Sequence, residues 1–578
     1  MAKITPSDAF KSADVADQDK VLSPAETVRR FHQRLAGLDL DILAEAVRID
    51  TGRLDIPVYV SACGADAMAL TGTKKQMGKG ATPAQAEASA VMELAERFSL
   101  YAFSADPARF VTASWNEVGD QALPLSEIAR SVGDDPARAA RALEFFAEIP
   151  QRWCPATDFT HDREVLVPFD WFFAINQFNG SCAGNVPAEA LCQGVCEVVE
   201  RHVSALAAAG APLPGIPPES VTDPMARELL EKFERAGVVT HLHDMTLGMG
   251  VPTVGVLAWD PAGLDTRQSE IVWTAGTAPH PERALCRALT EAAQLGGDFC
   301  TAACYVASGL PKPASLPDIA DLLAPGSFVE VSRLPSLAHE NMARELASCI
   351  AELSGRGYTV LAVDTTHPGL NIPAFYVIVP GARFRERAAS GDTGLFTAKL
   401  AAETLPPDHA AGLLARMEQA LGETPYVPFY SGTLLLAADP ARALSLFQEA
   451  ARRGPHPEEA AGILVYQGLA KKEMNDWEGA LEVLAEADRL DPERTDALNL
   501  MGVCCFKLKD FRRAIGYFER AVALNPTSAM DHANLGVNWR ELGDSAQAIR
   551  HFTRALQLDP TIDFARSALN RLLAASQA

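Results

Sequence analysis

Hydrophobic and polar positions follow three rhythms along the chain. In LDIPVYVSAC (54–63), VPTVGVLAWD (251–260) and NIPAFYVIVPGARF (371–384), β-branched and aromatic residues run together and stop at Gly or Pro, which predicts strands. In AEASAVMELAERFSL (86–100), AEALCQGVCEVVERHVSALAAA (188–209) and ERALCRALTEAAQLGGD (282–298), the apolar residues recur at helical spacing, and the few charged positions fall on one stripe. From about residue 429 onward, small residues return with a period of 34: Gly468, Gly502 and Gly536; Ala480, Ala514 and Ala548; Ala487, Ala521 and Ala555; Pro492, Pro526 and Pro560. That period predicts stacked helix pairs, in which small residues allow close approach and proline ends the second helix.

The strands and helices of the first 400 or so residues do not alternate regularly. The expected class is therefore α+β, not a doubly wound sheet. The boundary with the repeats is expected between Pro425 and Ser431, giving residues 1–428 as one domain and 429–578 as an all-α solenoid. The repeats resemble the tetratricopeptide pattern. A degenerate first unit (Gly432, Ala443, Ala450) precedes three regular ones, and one end of the array is expected to lie against the preceding domain or a second copy. AGAPLPGIPPES (209–220) reads as an exposed connector.

Composition narrows the function classes. A net charge of −23 argues against direct nucleic-acid binding, which needs clustered Lys and Arg. The chain has no long apolar run and no hydrophobic signal at MAKITPSDAF, so no membrane association and a cytoplasmic location are expected. Cysteines with helical spacing, Cys192 with Cys196 and Cys300 with Cys304, and the adjacent Cys504 and Cys505, read as free thiols.

The acids on the apolar helices carry the chemistry. Glu93, Glu96 and Arg97 share one face of the first helix, as do Glu189, Glu197 and Glu200 on the second, which also reads Glu-Arg at Glu200 and Arg201. The third carries Arg287, Glu291, Gln294 and Asp298 on one stripe. An exposed salt-bridged face is the bland reading of such spacing, but the apolar flanks weaken it. Like charges on a half-buried stripe call for cations, and a divalent metal with a polyanionic ligand supplies them economically. QMGKGATP and FNGSCAGNVPAE are small-residue turns that enter the first two helices and suit phosphate. The P-loop reading fails, because Gly72 and Gly78 are separated by five residues and Lys79 is followed by Gly80.

GKGATPAQAEASAVMELAERFS, NGSCAGNVPAEALCQGVCEVVERH and ERALCRALTEAAQ resemble, in order, the three motif blocks of the YcaO family, across most of residues 20–400. The tetratricopeptide tail, with Lys20 and Thr27 ahead of RRFHQRLAGL, resembles a bacterial subgroup of that family. The resemblance implies bound ATP and Mg2+, with Glu93, Glu96, Glu189, Glu197 and Glu200 as metal ligands or their supports. It further implies Lys20, Thr27, Arg97, Cys182, Asn185, Glu189, Arg201, Glu291 and Gln294 around the nucleotide, with Glu96, Glu200 and Arg201 closest to the chemistry. The implied reaction adds a nucleophile to a peptide amide carbonyl and transfers phosphate from ATP to the resulting oxyanion, converting a poor leaving group into a good one.

Which nucleophile acts stays open. Azoline-forming relatives end in a proline-rich tail, whereas this chain ends LLAASQA, so an accessory role in methylthiolation of a ribosomal protein is expected, with that protein and its methylthiotransferase as partners. Thioamide or azoline formation is the alternative, and a non-catalytic tetratricopeptide adaptor is the alternative of another class. The repeats are expected to contribute to a homodimer. His241 and His243 read as exposed strand positions, His280 and His367 as loop residues, and Asp364 as a turn cap or a substrate contact.

Overall fold

The computed structural model describes residues 3–12, 19–264, 266, 268–300, 309–385, 391–526 and 528–577. The chain forms two compact units: Met1–Ala139 with Ala147–Asp392, and Ala140–Phe146 with Thr393–Ala578. The division thus falls at Asp392 instead of near 428. Helices Thr393–Thr404 and Pro407–Leu421 pack against Tyr426–Leu435, the first helix of the repeat region, and Ala140–Phe146 packs with them.

The first unit is α+β, with three antiparallel sheets among the described residues. One has the order Leu43–Arg48, Val58–Cys63, Lys75–Lys79. A second runs Val272–Thr277, Thr253–Trp259, Val239–Asp244, Gly215–Ile216. The third runs Val111–Ala113, Gln151–Asp158, Leu361–Asp364, Ala374–Ile378, Ser181–Ala183, with Arg163–Pro168 also paired to Gln151–Asp158. Each predicted strand run supplies a strand, at Val58–Cys63, Thr253–Trp259 and Ala374–Ile378.

Each acidic helix covers one sheet. The first, Pro83–Ala105, buries Val91, Leu94, Ala95 and Phe98 with Phe31 and Cys63. The second, Pro187–Ala208, buries Val195, Val199 and Val203 with Val377, Leu346 and Leu353. The third, Pro281–Gly296, sets Ala284, Ala288 and Ala292 against Val254 and Val256. Their apolar faces are thus committed to packing, and the stripe left over carries the acids.

Several local expectations change. The presumed connector is partly core: Leu213 is buried, and Gly215–Ile216 adds an edge strand, held by bonds from Gly215 N to Ser327 O and from Val329 N to Gly215 O. His243 is buried with Nε2 2.8 Å from Leu322 O, and His241 stacks on Trp259, so neither is an exposed strand position. His280 caps the third acidic helix, His367 accepts from Leu370 N, and Asp364 accepts from Thr366 N, the turn-cap alternative. Among the described residues the cysteines are free thiols, buried except for Cys300; Cys304 lies outside the described residues.

In the second unit the 34-residue register has a physical cause. A Cβ placed on Gly468, Gly502 or Gly536 would come within 2.6–2.7 Å of Leu484, Phe518 or Phe552, each on the following helix. The in-register alanines 480, 514 and 548 are fully buried beside them. Gly432 meets Phe447 in the same way, which places the degenerate unit in the array. Asp439, Asp476, Asp510 and Asp544 cap the second helix of each pair.

Candidate active site: an acidic cleft among three helices

The first acidic helix begins with Thr82 and Gln85 in a reciprocal capping box and Pro83 at its first position. The strand Lys75–Lys79 leading to it lies against the helix backbone, because Gly78 has no side chain: a Cβ there would sit 2.1 Å from Ala90 N. Gly184 does the same for the second helix, its Cβ position lying 2.6 Å from Ala190 N. These two approaches bring both glycine turns beside the carboxylates. In QMGKGATP, Gly78 serves close packing, while Lys79, Gly80 and Ala81 line the cleft.

The polar stripes of all three helices open into one cleft of ≈ 390 Å³. Glu93, Glu96 and Arg97, then Glu189, Glu197, Glu200 and Arg201, then Glu291 and Gln294 line it, joined by Lys20, Thr27 and Asn185. Asp298 does not. The third helix ends at Gly296, and Asp298 turns away to accept from the N–H and hydroxyl of Thr51, both at 2.6 Å. Cys182 is also outside the cleft: its Sγ lies 3.4 Å from Phe375 O, and it fills the space beside Gly194 under the second helix.

Within the cleft, charges are arranged in opposition. Arg97 lies 3.4 Å from Glu96 and 3.6 Å from Glu93, with its guanidinium 4.0 Å from the Phe178 ring centroid. Burial pushes the Glu96 carboxyl well above its ordinary value; Arg97 opposes this, while Glu197 and Glu93 add to it. Burial likewise raises Glu197, opposed by Arg201 and Arg97 and reinforced by Glu200 and Glu93. Two carboxylates raised by burial and by the acids around them form a site whose charged state is completed by an added cation.

Glu200 is oriented by the end of a strand, its Oε2 accepting from Thr277 N at 3.0 Å. Glu189 is engaged differently. Its Oε1 accepts from Asn185 N and Nδ2, both at 3.1 Å, and its Oε2 accepts from Val21 N at 3.2 Å. It holds the N-terminal segment and the Asn185 turn, and Asn185 Nδ2 donates onward to Thr27 Oγ1 at 3.0 Å.

Two basic residues outside the predicted set belong here. Lys79 pairs with Glu291, and its amine is lowered to about 8 by burial first and by Arg287 second. Arg287 donates to Gln193 Oε1 at 2.7 Å. Lys79 was legible as the lysine of the glycine turn and Arg287 as a member of the third stripe, but neither spacing shows that they line the same cleft.

The cleft fits a magnesium nucleotide. Buried Arg97 Nη1, Arg201 Nε and Arg287 Nε have no hydrogen-bond partner, which is the donor set a polyphosphate satisfies. Among the described residues no three acids or thiols form a ready-made metal cage. Magnesium bound to nucleotide needs only one or two carboxylates, since phosphate and water oxygens complete its shell.

Comparison with known proteins agrees with this chemistry. A family model described as YcaO cyclodehydratase, ATP- and Mg2+-binding, matches residues 77–383, and tetratricopeptide models match 495–528 and 529–562. A protein from Rhizobium leguminosarum bv. trifolii, described as uncharacterized and encoded in the tfuA 3' region, is 26% identical over 64% of this chain and 90% of its own length. The ribosomal protein S12 methylthiotransferase accessory factor YcaO of Escherichia coli is 29% identical over 32% of this chain and 35% of its own. A heterocyclase solved in complex with substrate and cofactor shares the fold, with TM-score 0.53 and 20% identity over 66% of this chain and 55% of that one. An α+β unit that matches an ATP- and Mg2+-binding family, followed by tetratricopeptide repeats, defines the class of protein. The chain belongs to the YcaO family.

Proposed function

We propose that this protein uses ATP and Mg2+ to activate a backbone amide of a peptide or protein by phosphorylation. The observation that carries the reading is the convergence of Glu93, Glu96, Glu197 and Glu200 from two helices on one cleft that also holds unpartnered guanidinium nitrogens. In this reading those four acids hold magnesium, which neutralises charge on the transferring phosphoryl group. Lys20, Arg97, Arg201, Glu291 and Gln294 contact the nucleotide, while Glu189, Asn185 and Thr27 hold the N-terminal segment over it. A nucleophile adds to the carbonyl carbon, the oxyanion takes the γ-phosphoryl group with release of ADP, and collapse expels phosphate with the former amide oxygen.

The target is a ribosomal protein, with the chain serving as accessory factor to its methylthiotransferase; the likeness to the E. coli accessory factor supports this. The repeats contribute to a homodimer, and the protein acts in the cytoplasm. The test is incubation of purified protein and Mg-ATP with ribosomal proteins and their methylthiotransferase, followed by intact-mass measurement. An ATP-dependent mass change on a ribosomal protein is expected. Loss of water from a small peptide, or exchange of oxygen for sulfur in one, would move the assignment to azoline or thioamide formation, and no change on any substrate would remove it.

A further inference from the structure

Lys20 lines the cleft next to an N-terminal segment, residues 8–12, that is fastened to a helix elsewhere in the fold. Among the described residues, none from that helix, Met342–Gly355, lines the nucleotide cleft. At its cap, Asn341 Oδ1 accepts from Ala9 N at 3.3 Å and Nδ2 donates to Asp8 Oδ1 at 2.7 Å. Backbone bonds from Lys11 N to Glu340 O and from Met342 N to Ala9 O, at 2.9 and 2.8 Å, continue the pairing. One turn on, the buried Glu345 receives Lys11 Nζ at 2.6 Å, and Asp19 lies 3.6 Å from the same amine.

Lys20 is then bracketed, with Ser12 N donating to Lys20 O at 2.9 Å and Val21 N to Glu189 Oε2 at 3.2 Å. Glu345 and Lys20 both border one small cavity of ≈ 20 Å³.

A buried ion pair is a poor way to gain stability, since apolar residues of similar volume hold two segments together as well or better. What it adds is register. Residues 8–12 held by apolar contacts alone could slip by one residue, moving the Ser12 N–H that holds the Lys20 carbonyl by about 3.3 Å. An Asn341 side chain satisfied on both ends and a single Lys11–Glu345 contact permit one alignment only. We propose that Lys11 and Glu345 are positioning residues for nucleotide binding, fixing the register of residues 8–12, whose Ser12 N–H holds the Lys20 carbonyl at the cleft. This rests on the reading of the cleft as an ATP site.

The test is calorimetric titration of the full chain with Mg-ATP, with ATP hydrolysis and thermal unfolding measured in parallel. Lys11→Met and Glu345→Gln are expected to weaken ATP binding about tenfold and raise KM for ATP more than they lower kcat, and Lys11→Arg to restore parental binding. In a Lys20→Met background, Lys11→Met should add less than about twofold, since the lysine it positions is gone. Equal weakening with and without Lys20, a lowered melting temperature with unchanged affinity, or no effect of Lys20→Met would overturn the inference. Should Lys11→Met fail to fold, Glu345→Gln against Lys11→Arg decides by the same criteria. A parent chain that binds no Mg-ATP removes the functional reading and the inference together, whereas binding lost in Glu200→Ala but kept in Lys11→Met removes the inference alone.

Discussion

The backbone N–H of Thr277 donates to Glu200 Oε2 at 3.0 Å, joining the end of a strand in one sheet to the acidic helix that covers another. Glu200 is thereby aimed by a group that is not a side chain, and it lines the cleft shared with Glu197 and Arg201.

The proposed role of Glu200 in magnesium-nucleotide binding can be tested apart from its contribution to the fold. The purified chain should hydrolyse ATP slowly with magnesium, and Glu200→Ala or Glu197→Ala should reduce the rate by roughly a hundredfold or more, as expected when a charge-stabilising group leaves a preorganised site. Far-UV circular dichroism should stay parental. Heat protection by Mg-ATP that persists equally in both variants would count against these acids as magnesium-nucleotide ligands.

Glycines of the repeat array should respond in opposite directions. Gly502 faces the Phe518 ring, where a Cβ would lie 2.6 Å from Cζ, whereas nothing lies within 4 Å of a Cβ at Gly516. Gly502→Leu should therefore cost about 1–3 kcal/mol by overpacking. Gly516→Ala should stabilise by roughly 0.5–1 kcal/mol through helix propensity. Denaturant unfolding of the two variants checks the contrast, and a destabilised Gly516→Ala would refute the open-face assignment.

Glu345 should leave a signature in the pH dependence of stability. Burial, with Cys192 and Asp19 adding and Lys11 opposing, pushes its carboxyl from 4.5 up to about 7. An acid whose folded value exceeds its unfolded one binds its proton more tightly in the folded state, so this contribution is complete below about 4.5 and is lost as pH rises through about 7. Between about pH 5 and about pH 8 the parent should lose of order 1–3 kcal/mol relative to Glu345→Gln, measured by denaturant unfolding. Parallel pH profiles for the two chains would show that Glu345 does not titrate in this way.

The residues themselves determined a good deal. The 34-residue period specifies helix pairs because each pair needs a small residue where two helices touch, and Gly468, Gly502 and Gly536 meet that need directly. The three acidic helices were legible because each has one apolar face broad enough to demand a sheet, leaving Glu93, Glu96, Glu197, Glu200 and Glu291 on the remainder. Local spacing is a sufficient guide where partners lie within a few turns.

Tertiary structure alone decided what meets across the chain. Asp298 continues the stripe of Glu291 and Gln294 in sequence, yet a left-handed Gly297 ends the helix and Asp298 goes to Thr51. Cys182 stands in a motif loop but serves the core under Gly194, and His243 alternates like a surface residue but lies in the sheet interior. Lys79 reaches Glu291 and Lys11 reaches Glu345 over separations of 212 and 334 residues, and no periodicity encodes such pairings. They depend on which faces the three sheets present to one another, a property set by the packing of the whole unit and not by any segment of it.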